Sequence, residues 1–252
     1  VTHTYPGQQV IVHSKKGDVY GVVEAYRDLL KKSDLSTKDF VIDIGARDRE
    51  DALKYVDLGD PIVLDTHIRK LANGRISARA LDDRIGVYII MEAFKRAKER
   101  GCQAGVYAAS TTGEETTKTG AYWCSTRIRP TLAIVVDVTY TSDCIGINPA
   151  EMGTVELGKG PVLCNSPIVV KEWNQKMEDC AKEAGIPVQR EAASRLSYTD
   201  ADKIHFSNEG VPIVLVSVPL RYMHMPCEVA DENDVENCIE MIARFLTAYQ
   251  AE

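Results

Sequence analysis

The chain has 252 residues, of which 44% are hydrophobic and 27% are charged, and its formal net charge at pH 7 is -7. Such a length and composition are typical of a globular protein with one large core or two smaller ones. The acidic balance and the absence of a basic stripe exclude nucleic acid and anionic membrane as main partners, because phosphate contacts need clustered Lys and Arg.

The cysteines indicate a reducing compartment. There are seven of them, an odd number, and they are scattered along the chain with no C-x-x-C spacing. This usage predicts neither a disulfide framework nor a zinc finger, but free thiols in the cytoplasm. No run of 18 apolar residues is present, so the sequence predicts no membrane-spanning helix.

The first part of the chain reads as short β segments separated by turns. Their apolar and β-branched residues are bounded by Gly, Asp and Lys, which is typical of a small all-β unit. The segments are 9–13, 19–25, 40–44 and 61–64. We therefore predict a small β-barrel-like domain over residues 1–75.

After Asn73-Gly74, strands alternate with helices. Helical periodicity appears in 82–98, 173–184 and 233–248, and short apolar runs that predict strands appear in 104–111, 132–138 and 212–218. This alternation predicts an α/β domain over residues 76–252, with a mostly parallel core sheet flanked by helices.

Two acidic pairs are candidate functional residues. Asp82 and Asp83 precede a helix, so a helix cap is the simpler interpretation. Glu114 and Glu115 follow the strand predicted at 104–111, where a solvated loop would also explain them. The functional alternative is that one Glu binds a metal while its neighbour acts as a general base.

Asp137 ends the apolar run of a second predicted strand, and His224 follows a third. A carboxylate at the mouth of a buried strand needs a cation or hydrogen-bond donors to offset its desolvation. A lone His beside Met is more often a packed core residue, but its place beyond a strand end, with the carboxylates, favours a ligand. Together these residues suit a divalent metal, and their spacing leaves the number of ions open.

Weaker candidates accompany them. Thr199 and Asp200 are predicted to cap a helix that runs to Phe206, and Asp200 is also a candidate pocket residue. His205 is interpreted as a packing residue. The sequence lacks G-x-S-x-G, G-x-x-x-x-G-K-[ST] and G-x-G-x-x-G, which disfavours a serine hydrolase, a P-loop enzyme and a Rossmann dehydrogenase.

Six motifs in order along the chain resemble those of one enzyme family. They are Ala80-Leu81-Asp82-Asp83-Arg84-Ile85-Gly86, Gly113-Glu114-Glu115, Val136-Asp137-Val138-Thr139, Leu157-Gly158-Lys159-Gly160-Pro161, Thr199-Asp200 and Arg221-Tyr222-Met223-His224. The chain is similar over nearly its whole length to the tetrahedral-type (TET-like) dinuclear metalloaminopeptidases, which include glutamyl and leucyl aminopeptidases and some proteins named endoglucanase.

The resemblance implies a zinc-peptidase-like fold and a role for each matched residue. Asp82 matches the carboxylate that bridges two divalent metal ions, zinc or cobalt, and Glu114 matches the general base. Glu115 matches a ligand of one metal and Asp137 a ligand of the other, while His224 matches the imidazole that completes the Glu115 site. The implied activity is metal-dependent removal of N-terminal residues from peptide substrates. The β domain matches a dimerisation domain, which implies a homo-oligomer, from a dimer to a dodecamer.

Two departures from the family accompany the resemblance. The family usually has Gln-Glu-Glu-Val-Gly where this chain has Gly113-Glu114-Glu115-Thr116-Thr117. The family also carries an N-terminal His-x-Asp motif, and none of the five histidines here has Asp two residues on. The N-terminal part of the catalytic domain is therefore predicted to be missing from this chain, which leaves the activity of the chain alone open. The alternatives are a non-catalytic assembly or binding homologue, and a related amidohydrolase or carboxypeptidase.

Overall fold

The computed structural model describes residues 2–249, apart from the side chains of 151 and 152. The chain divides into two compact units. The smaller contains 2–69, Ser77–Ala80 and His224–Glu228, and the larger contains Lys70–Ile76, Leu81–Met223 and 229–249. The domains 1–75 and 76–252 stay a prediction as functional modules, and their ends at residue 1 and at 250–252 lie outside the described residues.

An open antiparallel sheet forms most of the smaller unit. Its elements are β1 (Gln9–Ser14), β2 (Gly17–Val23), α1 (Arg27–Lys31), β3 (Ile42–Asp43), α2 (Arg49–Ala52) and β4 (Ile62–Leu64). The strand order is β3-β2-β1-β4, and β1 pairs with β2 as a hairpin in which Val12 faces Val19. Val10 and Val12 alternate with more exposed residues, so one face of β1 is buried. Among residues 2–249 these strands form no closed barrel, so the barrel-like prediction corresponds to an open sheet.

The larger unit is built from alternating helices and strands. They are α3 (Leu81–Glu99), α4 (Thr119–Ile128), β7 (Ala133–Tyr140), α5 (Pro149–Met152), β8 (Val162–Asn165), α6 (Lys171–Glu183), β9 (Gln189–Ala192), α7 (Ala201–Ile204), β10 (Ile213–Leu220) and α8 (Glu232–Ala248). Three more short strands, β5 (Arg69–Lys70), β6 (Arg75–Ala78) and β11 (Glu228–Asp231), form a sheet of order β11-β6-β5.

The central sheet has the order β7-β10-β8-β9. β10 runs parallel to β7 and antiparallel to β8, and β8 runs parallel to β9. All eight residues of β10 are buried, which explains its nearly unbroken apolar sequence. The predicted α/β class with a mostly parallel sheet is confirmed.

Helices α3 and α8 pack against each other in the larger unit. On α3 the buried residues Ile85, Ile89, Ala93 and Ala97 recur every four positions, so they form one apolar face. At the rim, Arg96 of α3 makes a two-pronged ion pair with Glu236 of α8, with Nη2 to Oε2 at 2.9 Å. No helix within residues 2–249 combines the length and the apolar character needed to cross a membrane.

The strand predicted at 104–111 is wrong. This segment joins no sheet in the described part of the chain, and Tyr107 is 71% exposed. Its alternating sequence suits a strand, but a strand forms only where its backbone N–H and C=O groups find a pairing partner. The segment instead lines a cavity whose other walls include β7.

Candidate active site

A tight loop before α4 presents Glu114 and Glu115. The carbonyl oxygen of Gly113 accepts hydrogen bonds from the N–H groups of Thr117 at 2.9 Å and Lys118 at 2.7 Å, which closes the loop on itself. Both glutamates therefore have a fixed backbone, as a metal ligand and a general base would require.

Gly120 lets the chain pass close beside this loop. A Cβ at position 120 would lie 2.3 Å from the carbonyl oxygen of Thr112, and no carbon approaches a backbone oxygen so closely. The N–H of Gly120 donates to that same oxygen at 3.2 Å. Glycine is thus required where the loop meets the first turn of α4.

The start of α3 carries the other acidic pair. Asp83 Oδ1 accepts a hydrogen bond from the N–H of Gly86 at 2.9 Å, so the predicted capping role is confirmed for Asp83. Asp82 has non-helical angles, φ -73° and ψ 111°, and the Asp82–Asp83 peptide bond is cis. Burial raises the pKa of Asp83 to about 9, and the charge of Asp137 acts in the same direction.

Asp137 lies within β7 rather than at its end, because the strand continues to Tyr140. Its side chain is 9% exposed, and its Oδ1 accepts a hydrogen bond from the N–H of Val138 at 2.8 Å. Burial raises the pKa of Asp137 to about 8 against the opposing effect of that bond, and the charges of Asp82, Glu114 and Asp200 add to the rise. Burial and the neighbouring carboxylates therefore both favour the protonated form of Asp137.

Asp200 occupies the N-cap position of α7, but its side chain makes no capping hydrogen bond. Its Oδ2 accepts a hydrogen bond from the hydroxyl of Thr111, while its Oδ1 is buried and has no hydrogen-bond partner within residues 2–249. Burial raises the pKa of Asp200 although the Thr111 bond lowers it. The helix ends at Ile204, short of the predicted end at Phe206.

One cavity of about 640 Å³ in the larger unit collects these side chains. Asp83, Glu114, Asp137 and Asp200 all line it, and apolar residues of 104–111, α3 and β7 form its other walls. A mostly apolar cavity with a few converging charged groups is the usual form of a small-molecule or peptide site.

A second arrangement in the larger unit brings together two of the four predicted metal ligands. Asp82 and Glu115 each offer a carboxylate oxygen, and these two atoms lie within 4.8 Å of one another. His224 belongs to the smaller unit, and its part in the site stays a prediction. His224 has a left-handed backbone with φ +63°, an uncommon conformation for a residue other than glycine. Asp137 and Glu114 are not part of the pair of Asp82 and Glu115.

The donor set fits a divalent cation. Carboxylates and an imidazole are ligands for zinc or cobalt, and the raised pKa values of Asp83 and Asp137 mark negative charge that a cation would offset. The role of each residue as a ligand stays a prediction.

Sequence reasoning missed two polar neighbours of these carboxylates. Lys118 places its Nζ 2.8 Å from Glu114 Oε1, and Thr111 donates to Asp200. The four-residue spacing of Glu114 and Lys118 was a usable signal, since such pairs approach each other in a helical turn. The contact between Thr111 and Asp200 joins residues 89 positions apart and left no local signal.

A family model for M42 glutamyl aminopeptidases matches residues 1–241 of the chain. The chain belongs to the M42 aminopeptidase family. The resemblance drawn from the six motifs is thereby confirmed, and this M42 chain is a hydrolase of the aminopeptidase type. M42 peptidases are metallopeptidases, in keeping with the candidate ligand group.

Relatives and solved structures agree with this membership. The lysyl aminopeptidase of Pyrococcus furiosus is 31% identical over 252 residues, which cover 96% of this chain and 71% of the relative. The TET aminopeptidase of the marine sediment archaeon Thaumarchaeota archaeon SCGC AB-539-E09 matches with a TM-score of 0.88 at 32% identity, over 98% of this chain and 72% of that one. The TET1 peptidase of Pyrococcus horikoshii can assemble into a tetrahedron or a large octahedral shell. It matches with a TM-score of 0.83 at 28% identity, over 99% of this chain and 74% of that one.

Proposed function

We propose that this chain is a metal-dependent aminopeptidase that removes N-terminal residues from peptides. The observation that carries the proposal is the pair of Asp82 and Glu115 in the larger unit, whose carboxylate oxygens lie within 4.8 Å of one another. Glu114, the neighbour of one member of that pair, lines the adjoining cavity.

Each residue has its own role in the proposed reaction. Asp82, Glu115 and His224 would hold one divalent ion, zinc or cobalt, and Asp82 and Asp137 would contribute to the site of a second. When bound, such an ion supplies Lewis-acid polarisation of the scissile carbonyl group. Glu114 accepts the proton of the attacking water and passes it to the leaving amine, as a general base and then a general acid.

The assignment of different tasks to adjacent glutamates is supported by their surroundings. Glu114 lines the cavity that a substrate would enter, while Glu115 is exposed and belongs to the ligand group. Since neighbouring side chains in this loop point to different places, one carboxylate can bind metal while the other meets the substrate.

We further propose a homo-oligomer, from a dimer to a dodecamer, with the smaller unit as its dimerisation surface. The shells formed by TET1 of Pyrococcus horikoshii support this proposal by analogy. A cytoplasmic location is supported by the seven cysteines, all of which are unpaired thiols in the structure.

The test compares a leucyl-p-nitroanilide that has a free α-amine with its N-acetylated form. An aminopeptidase hydrolyses the first and leaves the second intact. Hydrolysis of the acetylated compound alone would overturn the proposal in favour of an amidohydrolase, and release of C-terminal residues from a peptide would favour a carboxypeptidase. Metal content below about one divalent ion per chain without any hydrolysis would favour a non-catalytic homologue.

A further inference from the structure

Lys118 is held at the end of the glutamate loop by its own backbone. It has left-handed angles, φ 55° and ψ 22°, immediately before α4, and its N–H donates to Gly113 at 2.7 Å. Its side chain is only 19% exposed, unusual for lysine, which is mostly at the surface. The ammonium group therefore lies inside the site and not in bulk solvent.

The Lys118 ammonium lies between two carboxylates. Its Nζ is 2.8 Å from Glu114 Oε1 and 3.8 Å from Asp202 Oδ2. The first contact is a close ion pair whose angles fall short of a hydrogen bond, and the second is a longer electrostatic contact.

Asp202 is itself fixed on α7. Its Oδ1 accepts hydrogen bonds from the N–H and the hydroxyl of Ser197, each at 2.8 Å, and its Oδ2 accepts one from the N–H of Tyr198 at 2.9 Å. The side chain is 8% exposed. Asp202 thus provides a rigid anchor for the Lys118 ammonium.

We propose that Lys118 is a positioning residue that orients the carboxylate of Glu114. This inference rests on the proposed role of Glu114 as the general base. Three other acidic side chains, those of Asp83, Asp137 and Asp200, line the same cavity, and each of them repels Glu114 when it is ionised. The ammonium, anchored by Asp202, holds Oε1 against that repulsion and leaves Oε2 for proton transfer. A general base contributes fully only when it is held in its productive geometry.

The kinetic test compares Lys118→Met and Lys118→Arg with the wild-type chain on a leucyl-p-nitroanilide. Lys118→Met should lower kcat by about 10- to 100-fold with little change in KM, since a misplaced catalytic group costs about that much. Lys118→Arg should restore most of kcat because it keeps the positive charge. The control is Lys182→Met on the exposed side of α6, which should behave as wild type. Circular dichroism establishes that each variant is folded, and bound cobalt should be unchanged.

Two kinetic outcomes would overturn the inference. One is wild-type kcat in folded Lys118→Met, and the other is a loss of kcat that Lys118→Arg does not reduce. A fall in cobalt content equal to the fall in kcat would assign Lys118 a structural role in the metal site instead.

A second measurement does not depend on activity. An ammonium held between two carboxylates exchanges its protons slowly enough to give an NMR side-chain signal, assigned by its loss in Lys118→Arg. Glu114→Gln should abolish the signal, while Glu183→Gln at the end of α6 should leave it. A signal that persists in Glu114→Gln would overturn the inference. If no variant and no wild-type chain hydrolyses the substrate, the proposed function fails, and this spectrum still decides whether Lys118 holds Glu114.

Discussion

Asp234 Oδ2 in the first turn of α8 accepts a hydrogen bond from the N–H of Gly158 at 2.7 Å, and its Oδ1 accepts one from the N–H of Gly160 at the same distance. Asp234 is fully buried. The loop Leu157-Gly158-Lys159-Gly160-Pro161, one of the motifs that carry the family resemblance, is thus held to α8 by a single carboxylate.

Stability should depend on pH through Asp234. Burial raises the pKa of Asp234 to about 6 against the effect of its two hydrogen bonds. Because the folded state then binds this proton at a higher pH than the unfolded state, the free energy of unfolding contributed by this group rises as pH falls from about 6 to about 4. In Asp234→Asn this contribution is absent. Urea unfolding at several pH values should therefore show that the free energy of unfolding of the wild type, relative to that of the variant, increases as pH falls. A difference between the two free energies that does not change with pH would contradict this prediction.

Replacing His224 should weaken metal binding. His224→Ala removes the imidazole that the proposed function assigns to the metal site, so the dissociation constant for cobalt should rise by at least about 10- to 100-fold, the loss usual even for residues that only support a metal ligand. Isothermal titration calorimetry measures this dissociation constant. His13→Ala is the matched control, since His13 pairs with Asp18 at an exposed position in the smaller unit. Equal cobalt affinity in both variants would remove His224 from the site.

Gly120→Ala should disturb the glutamate loop. The added Cβ would lie 2.3 Å from the carbonyl oxygen of Thr112, so the backbone before the loop must shift. We expect lower thermal stability and a loss of hydrolysis, both measured on the purified variant. Gly105→Ala, where nothing lies within 4 Å of the new carbon, should leave the loop and hydrolysis intact. Full hydrolysis by Gly120→Ala would show that the loop tolerates the shift.

Glu114→Gln should remove catalysis without removing metal. The amide keeps the size of the side chain but does not accept a proton, so kcat should fall by about 10²- to 10⁴-fold, the usual contribution of a general base. Glu115→Gln should instead lower bound metal. The roles of Glu114 and Glu115 are distinguished by measuring, for each variant, the steady-state rate of hydrolysis and the metal content by atomic emission. If Glu114→Gln lost its metal and kept its rate per bound metal, the two roles would have to be exchanged.

The sequence predicted the large elements of the fold closely because their signals are local. The four-residue recurrence of Ile85, Ile89, Ala93 and Ala97 defined α3, and the apolar run defined β10. The prediction of a strand at 104–111 failed because a sequence pattern shows that a segment suits a strand, but it does not show whether another strand pairs with that segment. The observed ends of β7, which contains Asp137, and of α7 each differ from the predicted ends by two residues, since the ends of elements depend on packing.

The candidate site was predicted in part. Adjacent carboxylates at helix starts and strand ends marked Asp82, Asp83 and Glu114, and Asp83 proved to be both a helix cap and a cavity residue. The contact of Lys118 with Asp202 joins the glutamate loop to helix α7, and the two residues are 84 positions apart in the sequence, so only the folded chain brings them together.

The most direct test of the central proposal is the rate of leucyl-p-nitroanilide hydrolysis after the chain is freed of metal with EDTA and then titrated with zinc or cobalt. The account predicts that hydrolysis falls to the background rate and returns as the metal binds. Hydrolysis that persists in the metal-free chain would contradict it.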